Sequence, residues 1–296
     1  MSRAISVSHG EFGRATIYQL TRTIITHAHR EGHLVFNIGG PDQTMTVGDA
    51  ILPCTRTRGC AISPWEPHSF NHLAPGATLT LTLYIKPMWF LENSASAEYA
   101  LNFGRPDIAV TPVIGDLVTR LTAHLLDDRE EGGFDDLLFA LTKESFEQSW
   151  SAAPVNSLAS ACTRFNDFRV RRSLRLMQDS MTEDLDMEDV ARAVGLSRPH
   201  FFKLFKQQMG VTPNLYLNTL RAEQAIEDLL TTDKTVTDIG LDLGFSSQAS
   251  FTRFFSSNVG IAPSEYRRVA HCSDSAFPMM GQPDRLSGMP VPARQS

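Results

Sequence analysis

The sequence predicts an α+β multidomain chain. It would comprise an N-terminal β-barrel, helices that trail it, and a C-terminal all-α domain with two helix-turn-helix motifs. Three observations carry this expectation. A helix–Gly–helix pattern occurs twice between residues 186 and 268, and such self-similarity is the first sign to look for. Short β-rich runs punctuated by Gly and Pro fill residues 1–90. Past residue 87 the apolar spacing changes from period 2 to the helical period. A chain of 296 residues is long enough for two cores.

The barrel is expected over residues 1–95. Runs at 16–20, 34–38, 44–47, 50–53, 59–63 and 77–85 are short and β-rich, and polarity alternates most clearly over 78–84. Gly39-Gly40-Pro41-Asp42, Gly48-Asp49, Pro64 and Pro75-Gly76 supply the turns. Evenly spaced short strands of this kind form a sandwich or small barrel. Residues 96–151 are expected to be helical, as a cover for the barrel or a dimer face. Val113, Leu117, Val118, Leu121 and Leu125 share one stripe, and Leu137, Leu138, Leu141, Phe146 and Trp150 another. Residues 152–163 are small and polar, a linker.

The C-terminal domain is placed at 164–270. It opens on a helix at 168–178 with Val170, Leu174 and Met177 inward and Arg169, Arg171, Arg172 and Arg175 outward. In the first repeat Val190, Ala191 and Val194 form an apolar stripe. Gly195 then makes the turn, Ser197 is a candidate N-cap, and Phe201, Leu204 and Phe205 form the buried face of the second helix. Asp189, Val194 and Gly195 recur as Asp238, Leu243 and Gly244, and Phe201, Phe205, Gly210, Pro213 and Tyr216 as Phe251, Phe255, Gly260, Pro263 and Tyr266. Small residues, Ala191 and its counterpart Gly240, let paired helices approach. Thr212 and Pro213 start a long helix between the repeats. A short helix, a Gly turn and a second helix is a DNA-reading arrangement. Residues 271–296, rich in Pro, Gly, Ser and Met, read as a disordered tail.

This stretch resembles the AraC/XylS family of bacterial transcription regulators. The resemblance rests on Ala191, Gly195, Leu196, Phe201, Phe205 and Gly210 in the first copy. In the second it rests on Ile239, Gly244-Phe245-Ser246-Ser247-Gln248, Phe251, Phe254, Phe255, Gly260, Pro263 and Ser264-Glu265-Tyr266-Arg267-Arg268. It implies promoter DNA as partner, contact with RNA polymerase as in an activator, and a homodimer formed through the helices after the barrel. On the first recognition helix the outward face carries Arg198, Pro199, Phe202, Lys203 and Lys206. Positions matching Pro199, Phe202 and Lys203 are base readers in the family. On the second helix Gln248, Ala249, Ser250, Thr252 and Arg253 match base or phosphate readers. Gln pairs bidentately with adenine and Arg with guanine, and Phe202 can meet thymine methyls. Ser197, Ser246 and Ser247 at the helix N-termini are expected on phosphates.

Histidines cluster in the predicted barrel. His27, His29, Glu31 and His33 precede one strand, and Trp65, Glu66, Pro67 and His68 follow another. This resembles a cupin, a jelly-roll barrel whose metal motifs place His27, His29 and His68 at ligand positions. Glu31 stands two residues after His29 rather than at the family's Glu position, which His33 approaches. Imidazoles at i and i+2 project from one strand face and can share an ion, with His68 as third ligand and His33 or Glu31 as fourth. Two readings stay open: a divalent metal site, or histidines lining a metal-free effector pocket. Phe36, Trp65, Phe70 and Tyr84 are candidates for the apolar lining of that pocket. The expectation is a non-enzymatic regulator with a sensing barrel. A metal-dependent cupin enzyme fused to a DNA-binding module is the rival.

The net charge of −6 belongs to the N-terminal half. Residues 1–163 hold 11 basic and 17 acidic residues, whereas 164–270 hold 14 of each. A neutral DNA-binding unit implies modest, salt-sensitive affinity. No apolar run reaches membrane-spanning length and the N-terminus has no secretory core segment, so a cytoplasmic location is expected. Cys54, Cys60, Cys162 and Cys272 have no CxxC or zinc-finger spacing and are expected as thiols, with Cys54 and Cys60 close enough across a hairpin for a redox pair.

Overall fold

The computed structural model describes residues 2–93, 101–127, 133–151, 167–181 and 185–272. Nine strands come first: β1 Arg3–Gly10, β2 Gly13–Leu20, β3 Ile24–His27, β4 Gly32–Gly39, β5 Gln43–Val47, β6 Ala50–Cys54, β7 Arg58–Ile62, β8 His68–Asn71 and β9 Thr78–Ile85. They build two sheets. One has the order β10-β7-β4-β9-β2-β1-β11, where β10 is Asp107–Ala109 and β11 is Ala270–Cys272, and the other β3-β8-β5-β6. The chain is thus a mixed α/β protein with a β-rich N-terminal region and a helical C-terminal unit.

Alternation over β9 is as the sequence predicts, but both of its faces are buried. Leu81, Leu83 and Ile85 pack beneath helices, together with Leu34 and Phe36 of β4. Thr78, Thr80, Thr82 and Tyr84 face the space between the sheets, with His33 and Val35 of β4 beside them. The usual apolar-in, polar-out rule for a sheet is therefore inverted, because helices cover the outer face and shield it from water. Those helices are α1 Pro87–Asn93, α2 Pro112–Leu126 and α3 Phe134–Ser151. Thr111 caps α2 by accepting from the Ile114 amide. Between them β10, Asp107–Ala109, pairs antiparallel with β7, so the sheet runs beyond residue 95 into the segment expected to be wholly helical.

The C-terminal unit contains α4 Phe168–Asp179, α5 Met187–Ala193, α6 Arg198–Met209, α7 Pro213–Thr231, α8 Val236–Asp242, α9 Gln248–Val259 and α10 Pro263–Val269. Gly195 and Gly244 turn the chain between α5 and α6 and between α8 and α9, at φ 73° and 80°, where a side chain would be strained. Phe201, Phe205, Phe251 and Phe255 are fully buried, each stabilising by about 1.5–3 kcal/mol. Gly240 is required by proximity: a Cβ there would lie 2.8 Å from the Phe251 Cβ. Ser197 begins α6 without a side-chain cap bond, whereas Ser247 caps α9 by accepting from the Ser250 amide.

The two units share a core. Val7, Tyr18, Leu20, Val35 and Phe70 of the sheets pack in one cluster with Ala225, Leu229, Ile239, Phe251, Phe255 and Tyr266 of the helices. The chain end is drawn in as well. β11, Ala270–Cys272, lies parallel to β1 with Val7 opposite Ala270, so the tail expected from residue 271 begins as strand for two residues. Residues 273–296 and Cys162 lie outside the described residues. Cys54 and Cys60 are free and buried. Among the described residues no helix is long and apolar enough to cross a membrane.

Candidate functional site

Two sites emerge. The first is the outward face of the paired helices. Ser197, Arg198, Pro199, Lys203 and Lys206 are exposed, and Phe202 is half-buried with the Arg198 guanidinium 5.4 Å from its ring centroid. On the second pair Ser246, Ser247, Gln248, Ala249 and Arg253 are exposed and Ser250 and Thr252 half-buried. Gln248 accepts from the Thr237 hydroxyl of α8 at 2.9 Å, which orients its amide. Sequence reasoning missed Arg22. It sits between β2 and β3, yet lines one groove with Ser247, Gln248, Ala249, Thr252 and Arg253. Its Nη2 donates to the Ser256 and Gly260 carbonyls, at 3.3 and 3.4 Å, at the C-terminal end of α9. Cations suit that end of a helix, but no sequence pattern links residue 22 to residue 256.

The second site is the histidine cluster. His27, at the end of β3, stands opposite His68 of β8 in the sheet register. His29 follows β3 and His33 lies on β4. One nitrogen from each of His27, His29 and His68 lies within 4.8 Å of the others. Ring centroids are 4.4 Å apart for His27 and His68, and 4.9 Å for His33 and His68. Backbone carbonyls set the tautomers. His27 Nδ1 donates to the Ile25 carbonyl at 2.7 Å and His68 Nδ1 to the Glu66 carbonyl at 2.8 Å. A nitrogen facing a carbonyl must carry the proton, so each Nε2 keeps a bare lone pair. His29 Nε2 and His68 Nε2 are buried without a hydrogen-bond partner.

Burial holds these rings neutral. It pulls His27 down to about 4 and His68 down to about 3, and holds His29 and His33 well below the ordinary 6.5, with the neighbouring histidines adding to the shift of His29, His33 and His68. Neutral imidazoles with free, converging Nε2 atoms are the donor set that divalent transition metals take. His27, His29 and His68 therefore fit a metal, with His33 at the edge of the group. Glu31 is not in that group of three, but it lines the cleft between the two units with His27 and His29.

The expected apolar lining divides. Phe70 and Tyr84 line the interior cavity of about 30 Å³ with His27, His33 and His68. Phe36 does not. It is one residue out of phase with His33 and Val35 on β4, so it faces the helices and packs against Gly59. Trp65 does not line it either. Its backbone is left-handed at φ 65°, and its ring stacks on Tyr216 of α7 at 5.0 Å.

Trp65 belongs to a wider set of contacts that dock the units. Thr219 donates to the Ala28 carbonyl at 3.1 Å. Arg30 pairs with Glu223 at 2.6 Å. Arg14 Nη1 donates to the Tyr266 hydroxyl at 3.0 Å, and that hydroxyl lies 2.9 Å from His9 Nε2. Burial, then Arg14 and Lys86, pull His9 down to about 3, so it is neutral and accepts the Tyr266 proton.

Residues 190–269 match the helix-turn-helix domain family. The C-terminal unit is a helix-turn-helix domain of the AraC type. An uncharacterised HTH-type transcriptional regulator of Staphylococcus aureus (strain COL) is 40% identical over 102 residues, which are 34% of this chain and 14% of that protein. The regulatory protein PocR of Salmonella typhimurium is 34% identical over 118 residues, 39% of each chain. The chain thus covers well under two thirds of these relatives. In fold, the likeness extends further. The crystal structure of unsaturated fatty acid bound wild-type ToxT from Vibrio cholerae superposes with a TM-score of 0.52 over 91% of this chain and 95% of that one, at 14% identity.

Proposed function

We propose that the protein is a DNA-binding transcription regulator in which the two helix pairs, α5–α6 and α8–α9, are helix-turn-helix motifs. The observation that carries this reading is the pair of exposed faces, Arg198–Lys203–Lys206 and Gln248–Arg253, on helices of the matched domain. α7 spans about 28 Å at 1.5 Å per residue, a rod of the length needed to serve successive major grooves about 34 Å apart. Phosphate contacts would come from the α6 and α9 N-termini and from lysines, and base contacts from Phe202, Lys203, Gln248 and Arg253. Lys203→Ala or Arg253→Ala should each weaken specific binding by about 1–3 kcal/mol. Footprint titrations on a promoter fragment read this, and midpoints unchanged in both variants would reject the assignment.

The β-rich unit is assigned as a cupin-like sensing domain, and dimerisation through α2 and α3 completes the proposal. His27, His29 and His68 would hold a divalent metal through their Nε2 atoms. Such an ion would supply a Lewis-acidic position open to a ligand. The same three histidines are what favours the second reading, a metal-dependent enzyme carrying a DNA-binding module. Metal content of the wild-type chain tests the enzyme reading: an enzyme needs near-stoichiometric metal that His68→Ala loses, and a wild-type chain without metal rejects it, whereas metal lost in His68→Ala establishes the site for sensor and enzyme alike.

A further inference from the structure

We propose that the turn between β2 and β3 is part of the DNA-binding surface, where Arg22 and Arg253 together clamp a backbone phosphate of the duplex that α9 reads. This rests on the regulator reading and adds to it a contact from the β-rich unit.

Arg22 is exposed, and its turn is seated closely on the end of α9: a Cβ on Gly260 would meet the Ile24 Cδ1 at 2.9 Å. Its Nη2 is shared between the Ser256 and Gly260 carbonyls, at 3.3 and 3.4 Å. These two bonds hold the guanidinium in place and leave Nη1 and Nε to donate elsewhere. The last carbonyls of a helix carry partial negative charge, which repels a phosphate. Arg22 covers them and reverses the sign of the charge at that end. No acidic residue lines the groove it shares with α9, and among the described residues neither Arg22 nor Arg253 makes an ion pair.

Ala249, Thr252, Arg253 and Ser256 recur at helical spacing, so the face of α9 that presents Arg253 runs on to Ser256, whose carbonyl Arg22 holds. The rise from Arg253 to Ser256 is about 4.5 Å, less than one turn. Both arginines therefore line one groove, together with the hydroxyls of Ser247, Thr252, Ser256 and Ser257. Guanidinium and hydroxyl donors without a competing carboxylate are the set that takes a phosphodiester: charge comes from arginine and hydrogen bonds from both. A duplex held there touches both units at once. It is thus a ligand of the docked arrangement, and whatever separates the units removes the Arg22 contact and weakens DNA binding.

The probe is a fluorescein-labelled duplex selected from a random library on the wild-type full chain, with binding followed by anisotropy from about 50 to 200 mM salt. Arg22→Gln should bind it about tenfold more weakly at the low end, and the deficit should shrink about 3.5-fold at the high end, as one phosphate contact with a slope of about 0.9 requires. Arg22→Lys, which keeps the charge, should keep the wild-type slope. Parallel salt dependences for the wild type and Arg22→Gln would confine the residue to holding α9, and tighter binding by Arg22→Gln would mean that the turn obstructs DNA; either overturns the clamp. So does a slope in Arg22→Lys as flat as that of Arg22→Gln. Should Arg22→Gln fail to fold, Ser257→Glu sets an acid in the groove with Arg22 intact and should flatten the slope likewise; an unchanged slope overturns the proposal. A selected duplex that Arg22→Gln binds as the wild type does rejects the clamp alone, and a library that yields no bound duplex rejects the regulator and the clamp together.

Discussion

Acidification of the metal-free protein should unfold it through the histidine cluster. His27, His33 and His68 are 6%, 4% and 2% exposed. Burial pulls His27 down to about 4 and His68 down to about 3, and holds His33 well below 6.5. In the unfolded chain each titrates near 6.5. Between about pH 6.5 and 4 the unfolded state therefore binds protons that the folded state refuses. Stability present at pH 7 is lost as the pH falls through this window. From pH 7 to pH 5 His27 and His68 each withdraw about 2 kcal/mol, together about 4 kcal/mol, and His33 adds in the same direction. That is comparable to the roughly 5–15 kcal/mol that holds a native protein folded. Urea unfolding followed by circular dichroism in EDTA, at pH 7 and pH 5, measures it. His68→Gln should reduce the pH-dependent loss by about 2 kcal/mol, since Gln does not titrate. A transition midpoint that does not move between the two pH values would refute the argument that these rings are held neutral.

Three further outcomes are expected. Zinc should raise the melting temperature of the wild-type chain and leave His29→Ala and His68→Ala unmoved; an equal rise in all three would mean the ion binds elsewhere. Gly240→Ala, which in an open helix stabilises by about 1 kcal/mol, should here destabilise because the new methyl meets Phe251 at 2.8 Å, and a raised urea midpoint would contradict that. Arg22→Ala should weaken promoter binding and flatten its salt dependence by about one unit of slope, as one lost phosphate contact does; an unchanged slope in the footprint series would confine Arg22 to holding the end of α9.

The helical half was largely legible in the sequence because its signals are local. Apolar residues at helical spacing, the glycines of the two turns and the cap Thr212 lie within a few residues of what they control, although Ser197, the other cap candidate, makes no side-chain cap bond. The repeat made those signals mutually reinforcing. In the β-rich half the runs found were the apolar ones. β1, whose run Ala4-Ile5-Ser6-Val7-Ser8-His9 is half polar, was missed, as were β3 and β8, which are four residues each and carry the histidines. β10 and β11 were missed because three residues hold no periodicity. Phe36 and Trp65 were expected in the pocket on residue type, whereas strand phase and a left-handed turn place them elsewhere. The threonine stripe on β9 was the better signal, a polar face running through an otherwise apolar region.

The sequence alone determined the helices of the C-terminal unit, six of the strands and which side chains each of those helices presents outward. Periodicity and turn chemistry are properties of neighbouring residues. Tertiary structure alone decided what meets across the chain. It put His27 opposite His68, Arg14 beneath Tyr266, Arg22 at the end of α9 and the Ala270 strand against Val7. Each of these joins residues tens to hundreds of positions apart, and such pairings arise from the burial of a shared core rather than from local preference. The interface between the units, where Arg14 meets Tyr266 and the neutral histidines lie, is therefore a product of docking.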